Sequence, residues 1–213
     1  MSNRRLPVYV LLDTSGSMAG EPIQSLNVGL KAMEQALRRD PFALDSVHLS
    51  LITFDLQAKE VFGLTPIDQV RIPEIEVPSS GATFLGAALK LLAQRVDRDV
   101  VRNTDGNRGD WRPMAFVMTD GSPSDTQAYQ EGIAEVKRRN FARVIACAAG
   151  PRAKRDRLLQ LSDTVVSLDT LDGAAFAQFF QWVSSTIAAS GRSGGITETD
   201  TLPELPAEVK VAF

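Results

Sequence analysis

Residues 7–17 read PVYVLLDTSGS, an apolar run followed by a turn of small residues that carries one carboxylate and the hydroxyls of Ser15 and Ser17. The first six of these residues predict a buried β-strand, and the glycine-containing segment after them predicts a tight turn at its carboxyl end. Asp13, Ser15 and Ser17 would then direct hard oxygen atoms toward one point, as a small divalent cation such as Mg²⁺ requires. This stretch therefore predicts a strand that leads directly into a metal site.

Two further turns are candidates for the same coordination shell. Residues 80–83 read SGAT before a predicted helix, and residues 119–121 read TDG after the apolar run 114–118. Each residue alone has a simpler explanation, because Ser and Thr cap helices and Asp-Gly forms turns. The order of the three motifs and their positions at strand ends and helix starts favour one shared site. The predicted ligands are Asp13, Ser15, Ser17, Thr83 and Asp120.

This predicted ligand set is poor in negative charge. Three neutral hydroxyls and two carboxylates neutralise a divalent ion less completely than four carboxylates would, so the bound ion gains from one more anionic ligand. The set therefore predicts a site that takes an Asp or Glu side chain from a protein partner. Mg²⁺ is the expected ion, with Mn²⁺ and Ca²⁺ as alternatives because they also accept oxygen ligands.

Composition and charge restrict the class of protein. The 213 residues suffice for one substantial core, and 44% hydrophobic with 23% charged residues is ordinary for a soluble globular protein. The net charge is −3, and basic clusters such as residues 152–157 lie near predicted helix ends, so we expect them to face water and expect no nucleic-acid partner. The single cysteine, Cys147, lies in an apolar run and is predicted to be buried. No apolar stretch of signal-peptide length precedes Asp13, so we expect a cytoplasmic protein.

Short apolar runs alternate with longer amphipathic ones along the chain. The pattern predicts an α/β fold with a doubly wound, Rossmann-like, mostly parallel six-stranded sheet and helices on both faces. The second and third strands are joined by only three residues, which predicts one antiparallel edge strand. Strands are expected at 7–12, 47–54, 58–64, 113–119, 142–149 and 164–168, and helices at 22–38, 84–101, 125–139, 154–161 and within 173–191.

The last part of the chain divides into a long uncharged run and a tail. Residues 173–191 approach the length of a membrane span, but their aromatic residues recur at helical spacing, which predicts an amphipathic core helix and no membrane partner. We predict a folded domain over 1–190 and a flexible, acidic, Pro-containing tail over 191–213. Three roles remain open for the tail: capture of the metal by one of its acidic residues, addition of 209–213 as an edge strand, or no specific role. The acidic residues are Glu198, Asp200, Glu204 and Glu208.

At its three polar turns the chain resembles the von Willebrand factor type A domains and their metal-ion-dependent adhesion site (MIDAS). The resemblance covers about residues 5–189 and leaves no position of the motif unmatched. It implies that the hydroxyls of Ser15, Ser17 and Thr83 coordinate the ion directly. The matching segments are DTSGSM at 13–18, GAT at 81–83 and TDG at 119–121.

The resemblance also implies that Asp13 and Asp120 act on the ion through bridging water. Within the family, other segments resemble the bacterial tellurite-resistance TerY-like branch, which implies a stress-response role with a kinase-like partner and a metal-dependent protein phosphatase. These segments are GEPI at 20–23, NVGL at 27–30, LRRDP at 37–41 and ITFD at 52–55.

Two functional classes are compatible with the motifs. The preferred hypothesis is a non-catalytic, metal-dependent interaction module. The alternative is a Mg²⁺-dependent phosphohydrolase with Asp13 as nucleophile, on a similar α/β sheet. Such enzymes usually place a second Asp two residues later as general acid, and this chain has Ser15 there, which removes the proton donor for the leaving group. We therefore expect no enzymatic activity.

Overall fold

A seven-stranded sheet forms the middle layer of the molecule. The computed structural model describes the sheet and its helices over residues 4–78, 81–106, 108–192, 202–207 and 209–212. The strands are β1 (Leu6–Asp13), β2 (Val47–Phe54), β3 (Ala58–Pro66), β4 (Met114–Thr119), β5 (Arg143–Ala149), β6 (Thr164–Leu168) and β7 (Val209–Ala212). Their order across the sheet is β3-β2-β1-β4-β5-β6-β7.

The sheet is parallel in its centre and antiparallel at both edges. β1 pairs in parallel with β2 and β4, and the parallel pairing continues through β5 to β6. β3 pairs antiparallel with β2, which confirms the predicted edge strand. The predicted fold class is confirmed, but the predicted count of six strands was one too low. β7 is the seventh strand, because the alternating end of the chain pairs antiparallel with the edge that β6 presents.

Within the described ranges, six helices and one short 3-10 turn (Gly16–Met18) surround the sheet. The helices are α1 (Glu21–Arg39), α2 (Pro41–Ser46), α3 (Leu85–Asp99), α4 (Thr126–Lys137), α5 (Arg155–Leu159) and α6 (Gly173–Arg192). The sequence did not predict α2. Asp40 directly follows α1, and its carboxylate accepts hydrogen bonds from the backbone N–H groups of Phe42 and Ala43 at 3.0 Å each, so that it caps a second helix.

The alternation of side chains along β1 divides the core into two faces. Val8, Val10 and Leu12 pack in a cluster that includes the apolar residues of α1 and α6. Tyr9 and Leu11 point to the opposite face and pack with residues of α3, α4 and α5. A layer of helices therefore covers each face of the sheet, as its apolar strands predict.

The last described residues lie against the folded domain. The indole Nε1 of Trp182 donates a hydrogen bond to the Pro203 carbonyl at 3.1 Å, and Leu202 and Leu205 pack against the core that contains α6. α6 itself continues to Arg192. The predicted division at residue 190 stays a prediction, since 193–201 lie outside the described residues.

Three of the tail's acidic residues, Glu198, Asp200 and Glu208, also lie outside the described part of the chain. Capture of the metal by the tail therefore stays a prediction. Among the helices of the described residues, none has both the length and the apolarity that crossing a bilayer demands.

Candidate metal centre

The first polar turn is held in place by the two strands beside β1. The register pairs Asp13 with Phe54 of β2 and Leu12 with Met118 of β4, so the ends of β1 and β4 are neighbours. The backbone N–H of Thr14 donates to the Phe54 carbonyl at 2.9 Å, which fixes the chain where it leaves the strand. Asp13 and the residues after β4 therefore meet at the carboxyl edge of the sheet, where open α/β sheets bind ligands.

Four of the five predicted ligands take part in one network of hydrogen bonds, which Thr119 completes. The carboxylate of Asp13 accepts from the Ser15 N–H at 2.8 Å and from the Thr119 hydroxyl at 2.5 Å. The hydroxyls of Ser15 and Ser17 lie 3.2 Å apart, and the Ser17 hydroxyl donates to Asp120 Oδ1 at 2.7 Å. The network thus joins side chains that are more than 100 positions apart in the sequence.

Thr83 reaches the same place from the turn before α3. Its backbone N–H donates to the Ser124 hydroxyl at 3.3 Å, and its carbonyl accepts from the Ser124 N–H at 2.9 Å. The Thr83 hydroxyl lies 3.3 Å from the point where a Cβ on Gly121 would stand. Because Gly121 directly follows Asp120, the second and third predicted turns are in contact. Ser80 of the second turn lies outside the described residues.

Both carboxylates of this cluster are buried, so negative charge on them is costly unless it is compensated. Asp13 is 0% exposed and Asp120 is 1% exposed. Burial raises the pKa of Asp13 to about 6, and the negative charge of Asp120 adds to the increase, while hydrogen bonds from Thr119 and Ser15 oppose it. An ionised pair in this position is costly without a cation, so the electrostatics fit a bound divalent ion.

The donor set consists of carboxylate and hydroxyl oxygens alone. Among the described residues, no cluster contains three or more His, Cys, Asp and Glu side chains. A cation at this edge would therefore be held by a mixed set of two carboxylates and three hydroxyls, which suits a hard ion such as Mg²⁺. The assignment of these five residues as ligands stays a prediction, and the geometry is compatible with it.

Sequence reasoning missed two contributors to this site. Thr119 was noted only as part of its motif, yet its hydroxyl binds Asp13 and also accepts from the Gly121 N–H at 3.2 Å. Arg152 was expected to face water near a helix end. Two thirds of its side chain is exposed, as expected, but its Nη2 also lies 3.4 Å from Asp120 Oδ2. The only sequence signal for Arg152 was its position just after a strand next to β4.

A model of the von Willebrand factor type A domain matches residues 8–176, which is most of the chain. This chain belongs to the von Willebrand factor type A family. The match includes all three polar turns and agrees with the resemblance drawn from the motifs. No protein of curated function matches the sequence significantly.

Several solved structures share the fold of this von Willebrand A domain. Proximal thread matrix protein 1 from the mussel byssus matches with a TM-score of 0.63 and 17% identity over 88% of this chain and 49% of that protein. Another structure of the mussel protein, with a zinc-occupied MIDAS motif, gives a TM-score of 0.61, 17% identity and coverages of 87% and 48%. The pilus adhesin SpaC from Lactobacillus rhamnosus GG matches with a TM-score of 0.64 and 14% identity over 87% of this chain and 31% of the adhesin. The present chain spans less than half the length of these proteins, and at such identities the likeness shows the fold alone.

Proposed function

We propose that this von Willebrand A domain is a non-catalytic interaction module that binds a carboxylate of a protein partner through a divalent cation, with Mg²⁺ as the expected ion. The observation that carries the proposal is the hydrogen-bonded cluster of Asp13, Ser15, Ser17 and Asp120, with Thr83 beside it. The cluster lies at the carboxyl edge of the sheet, and its two carboxylates are buried. A cation there would be partly neutralised and would gain from an external anionic ligand.

Each residue of the cluster has a distinct part in this proposal. Ser15, Ser17 and Thr83 would supply hydroxyl oxygens to the ion. Asp13 and Asp120 would offset part of its charge, directly or through water. The Thr119 hydroxyl holds one oxygen of Asp13, which orients that carboxylate toward the hydroxyls.

The absence of enzymatic activity is part of the same proposal. A phosphohydrolase with Asp13 as nucleophile needs a general acid within reach of the leaving group, and the position two residues later is Ser15. The Ser15 hydroxyl lies 3.2 Å from that of Ser17, within the cluster. A serine hydroxyl is too weak an acid to protonate a leaving group at neutral pH, so the interaction role is better supported.

We further propose that the module works in a bacterial tellurite-resistance or stress-response system. The support is the resemblance of four segments to the TerY-like branch, two of which, 20–23 and 37–41, flank or overlap the two ends of α1. That resemblance implies a kinase-like protein and a metal-dependent protein phosphatase as partners. We expect the complex to form in the cytoplasm.

The experiment is a pull-down from native extract with Mg²⁺ or with EDTA. Ser17→Ala removes one proposed ligand, and Ser122→Ala makes the same change at an exposed position of the β4–α4 loop. We expect partners retained by wild type and by Ser122→Ala only with Mg²⁺, and lost with Ser17→Ala. Isothermal titration with Mg²⁺ and Mn²⁺ measures the ion affinity of the same three proteins. Retention that is independent of metal and of Ser17 would refute the proposed function.

A further inference from the structure

The loop between β5 and α5 borders the candidate metal centre on one side. β5 is the neighbour of β4 in the sheet, so the loops after these two strands lie side by side. Two contacts join them: the backbone N–H of Lys154 donates to the Gly121 carbonyl at 3.4 Å, and Arg152 Nη2 lies 3.4 Å from Asp120 Oδ2. Side chains on this loop therefore lie next to any partner that reaches the metal.

The path of this loop is fixed at its start. Gly150 has a φ of +77°, a conformation that other residues adopt at a cost, and its N–H donates to the Leu168 carbonyl at 2.8 Å. The side chain of Leu171 packs over Gly150, 3.0 Å from the point where a Cβ would stand. These contacts hold the loop against the end of β6 and the segment that follows it. They keep the charged residues of the loop at the carboxyl edge of the sheet.

Three cations lie on this loop and on the first residue of α5, and together we call them the basic rim: Arg152, Lys154 and Arg155. All three residues are exposed, and Arg152 has 66% of its side chain accessible. Within the described part of the chain, the one ion pair formed by the rim is that of Arg152 with Asp120. The nearby Asp169 is already paired with Lys210, and the pKa of Asp169 is lowered mainly by that contact. The rim therefore presents positive charge to the solvent.

We propose that the basic rim selects partners whose metal-binding carboxylate is followed by further acidic residues. This inference rests on the proposed function. The two buried carboxylates, Asp13 and Asp120, would be engaged in offsetting part of the charge of a divalent ion, so they would not also neutralise the rim. This side of the loaded surface is therefore positive. A positive surface next to the anchor point attracts an acidic segment and disfavours a basic one.

The distance between neighbouring strands indicates how far along the partner's chain the additional acidic residues lie from its metal-binding residue. Neighbouring strands lie about 4.8 Å apart, so the loop after β5 is about 5–10 Å from a cation held between the ends of β1 and β4. An extended peptide advances about 3.3 Å per residue. The acidic residues that contact the rim are thus two and three positions away from the residue that binds the metal.

The test compares two synthetic peptides of equal length in a Gly/Ser background. One carries a single Glu, and the other carries the same Glu with two more, two and three positions later. Binding is measured at 0.15 M salt with Mg²⁺ and with EDTA. For the wild type with Mg²⁺ we expect the three-Glu peptide to bind about 5- to 20-fold more tightly, because exposed ion pairs beside an anchored ligand each contribute modestly.

The variant Lys154→Gln/Arg155→Gln leaves Arg152 in its contact with Asp120. It should lose most of this preference and keep metal-dependent binding of the single-Glu peptide. Its control, Lys31→Gln/Arg39→Gln, changes the net charge by the same amount at exposed positions remote from the site, and it should keep the preference. Thermal unfolding checks that both double variants are folded.

The outcomes separate the two proposals. Equal, metal-dependent binding of both peptides by the wild type overturns the selective role of the rim and leaves the proposed function standing. Preference for the three-Glu peptide that persists in EDTA and disappears in the rim variant supports the rim and contradicts the metal bridge. Failure of both peptides to bind under any condition counts against both proposals.

Discussion

At the scale of single residues, Asp13 makes one contribution to the pH dependence of stability of the metal-free protein. Its pKa rises from an ordinary value of 3.8 to about 6 in the folded protein, mainly through burial. The folded state then binds this proton more tightly than the unfolded state, so the contribution to stability is full below about pH 4 and is lost as pH rises through about 6. The difference corresponds to at most about 3 kcal/mol.

We therefore expect Asp13→Asn, measured in EDTA, to be more stable than the wild type at pH 7 by up to about 3 kcal/mol and nearly equal to it at pH 4. Urea unfolding across this range measures the difference. Addition of Mg²⁺ at pH 7 should stabilise the wild type and leave the stability of the variant unchanged, because only the wild type has a carboxylate at position 13. Parallel stability curves for the two proteins would contradict this assignment of the pH dependence.

Cys147 gives a second prediction at this scale. It lies in β5 and is fully buried, and burial raises the pKa of its thiol far above the usual range. We expect no reaction with a thiol-specific reagent at pH 8 in the native protein and full reaction after denaturation. The rate of labelling in low denaturant would then report the opening of the central sheet. Rapid labelling of the native protein would show that this strand is more accessible than described.

The contacts among the predicted metal ligands were easier to predict from the sequence than the contact between Arg152 and Asp120. Asp13, Ser15 and Ser17 lie within five positions, and Asp120 follows a strand that pairs with β1, so the two-residue spacing and the sheet topology bring them together. Arg152 meets Asp120 across 32 positions, after a turn whose course depends on Gly150 and Leu171. No local pattern encodes a contact of that kind.

At the scale of elements, two glycines permit the close approach of α3 and α4. A Cβ on Gly86 would lie 2.2 Å from the backbone nitrogen of Tyr129, and one on Gly132 would lie 2.8 Å from the Cβ of Leu89. The glycines therefore let the two helix backbones pack with no side chain between them.

We expect Gly86→Ala to destabilise the protein by about 2–3 kcal/mol or more, because the helices must separate and the gain in helix propensity is only about 1 kcal/mol. The matched control is Gly173→Ala in the first turn of α6, where the nearest atom to the new Cβ is the Ser25 hydroxyl at 3.8 Å. Chemical denaturation should place the control within about 1 kcal/mol of the wild type. A Gly86→Ala protein as stable as this control would show that α3 can shift freely.

Most elements were predictable because their apolar periodicity is strong. β2 and β6 occur at the predicted residues, and α1 differs by one residue at each end. The short helix α2 was missed because a proline just after a helix usually marks its end, whereas Pro41 also suits the first position of a new helix after Asp40. The sequence left the edge-strand role of β7 open as one of three roles for the tail, since a four-residue strand after a long connection carries little local information.

At the scale of the whole molecule, residues 202–207 and 209–212 close one edge of the sheet. Val209 is buried, β7 pairs with β6, and Leu202 and Leu205 cover part of the core. We expect deletion of residues 202–213 to lower stability by on the order of 3–5 kcal/mol, because apolar surface and one strand's hydrogen bonds are exposed. The uncovered edge of β6 should also promote self-association, measured by gel filtration with light scattering.

The control for this deletion is Lys210→Gln, which removes only the ion pair with Asp169. Both partners of that pair are more than half exposed, so we expect a change below about 1 kcal/mol. A truncated protein that was as stable as the wild type and no more self-associated would show that β7 is dispensable for the fold.

The two-faced core has a mechanical consequence for the polar edge. The loop that carries Asp13 continues into α1 on one side of the sheet, whereas the turns that carry Thr83 and Asp120 continue into α3 and α4 on the other. An ion shared by these turns would therefore connect the helix layers on the two sides of the sheet. Tension applied to the ion by a bound partner would then be shared between both layers.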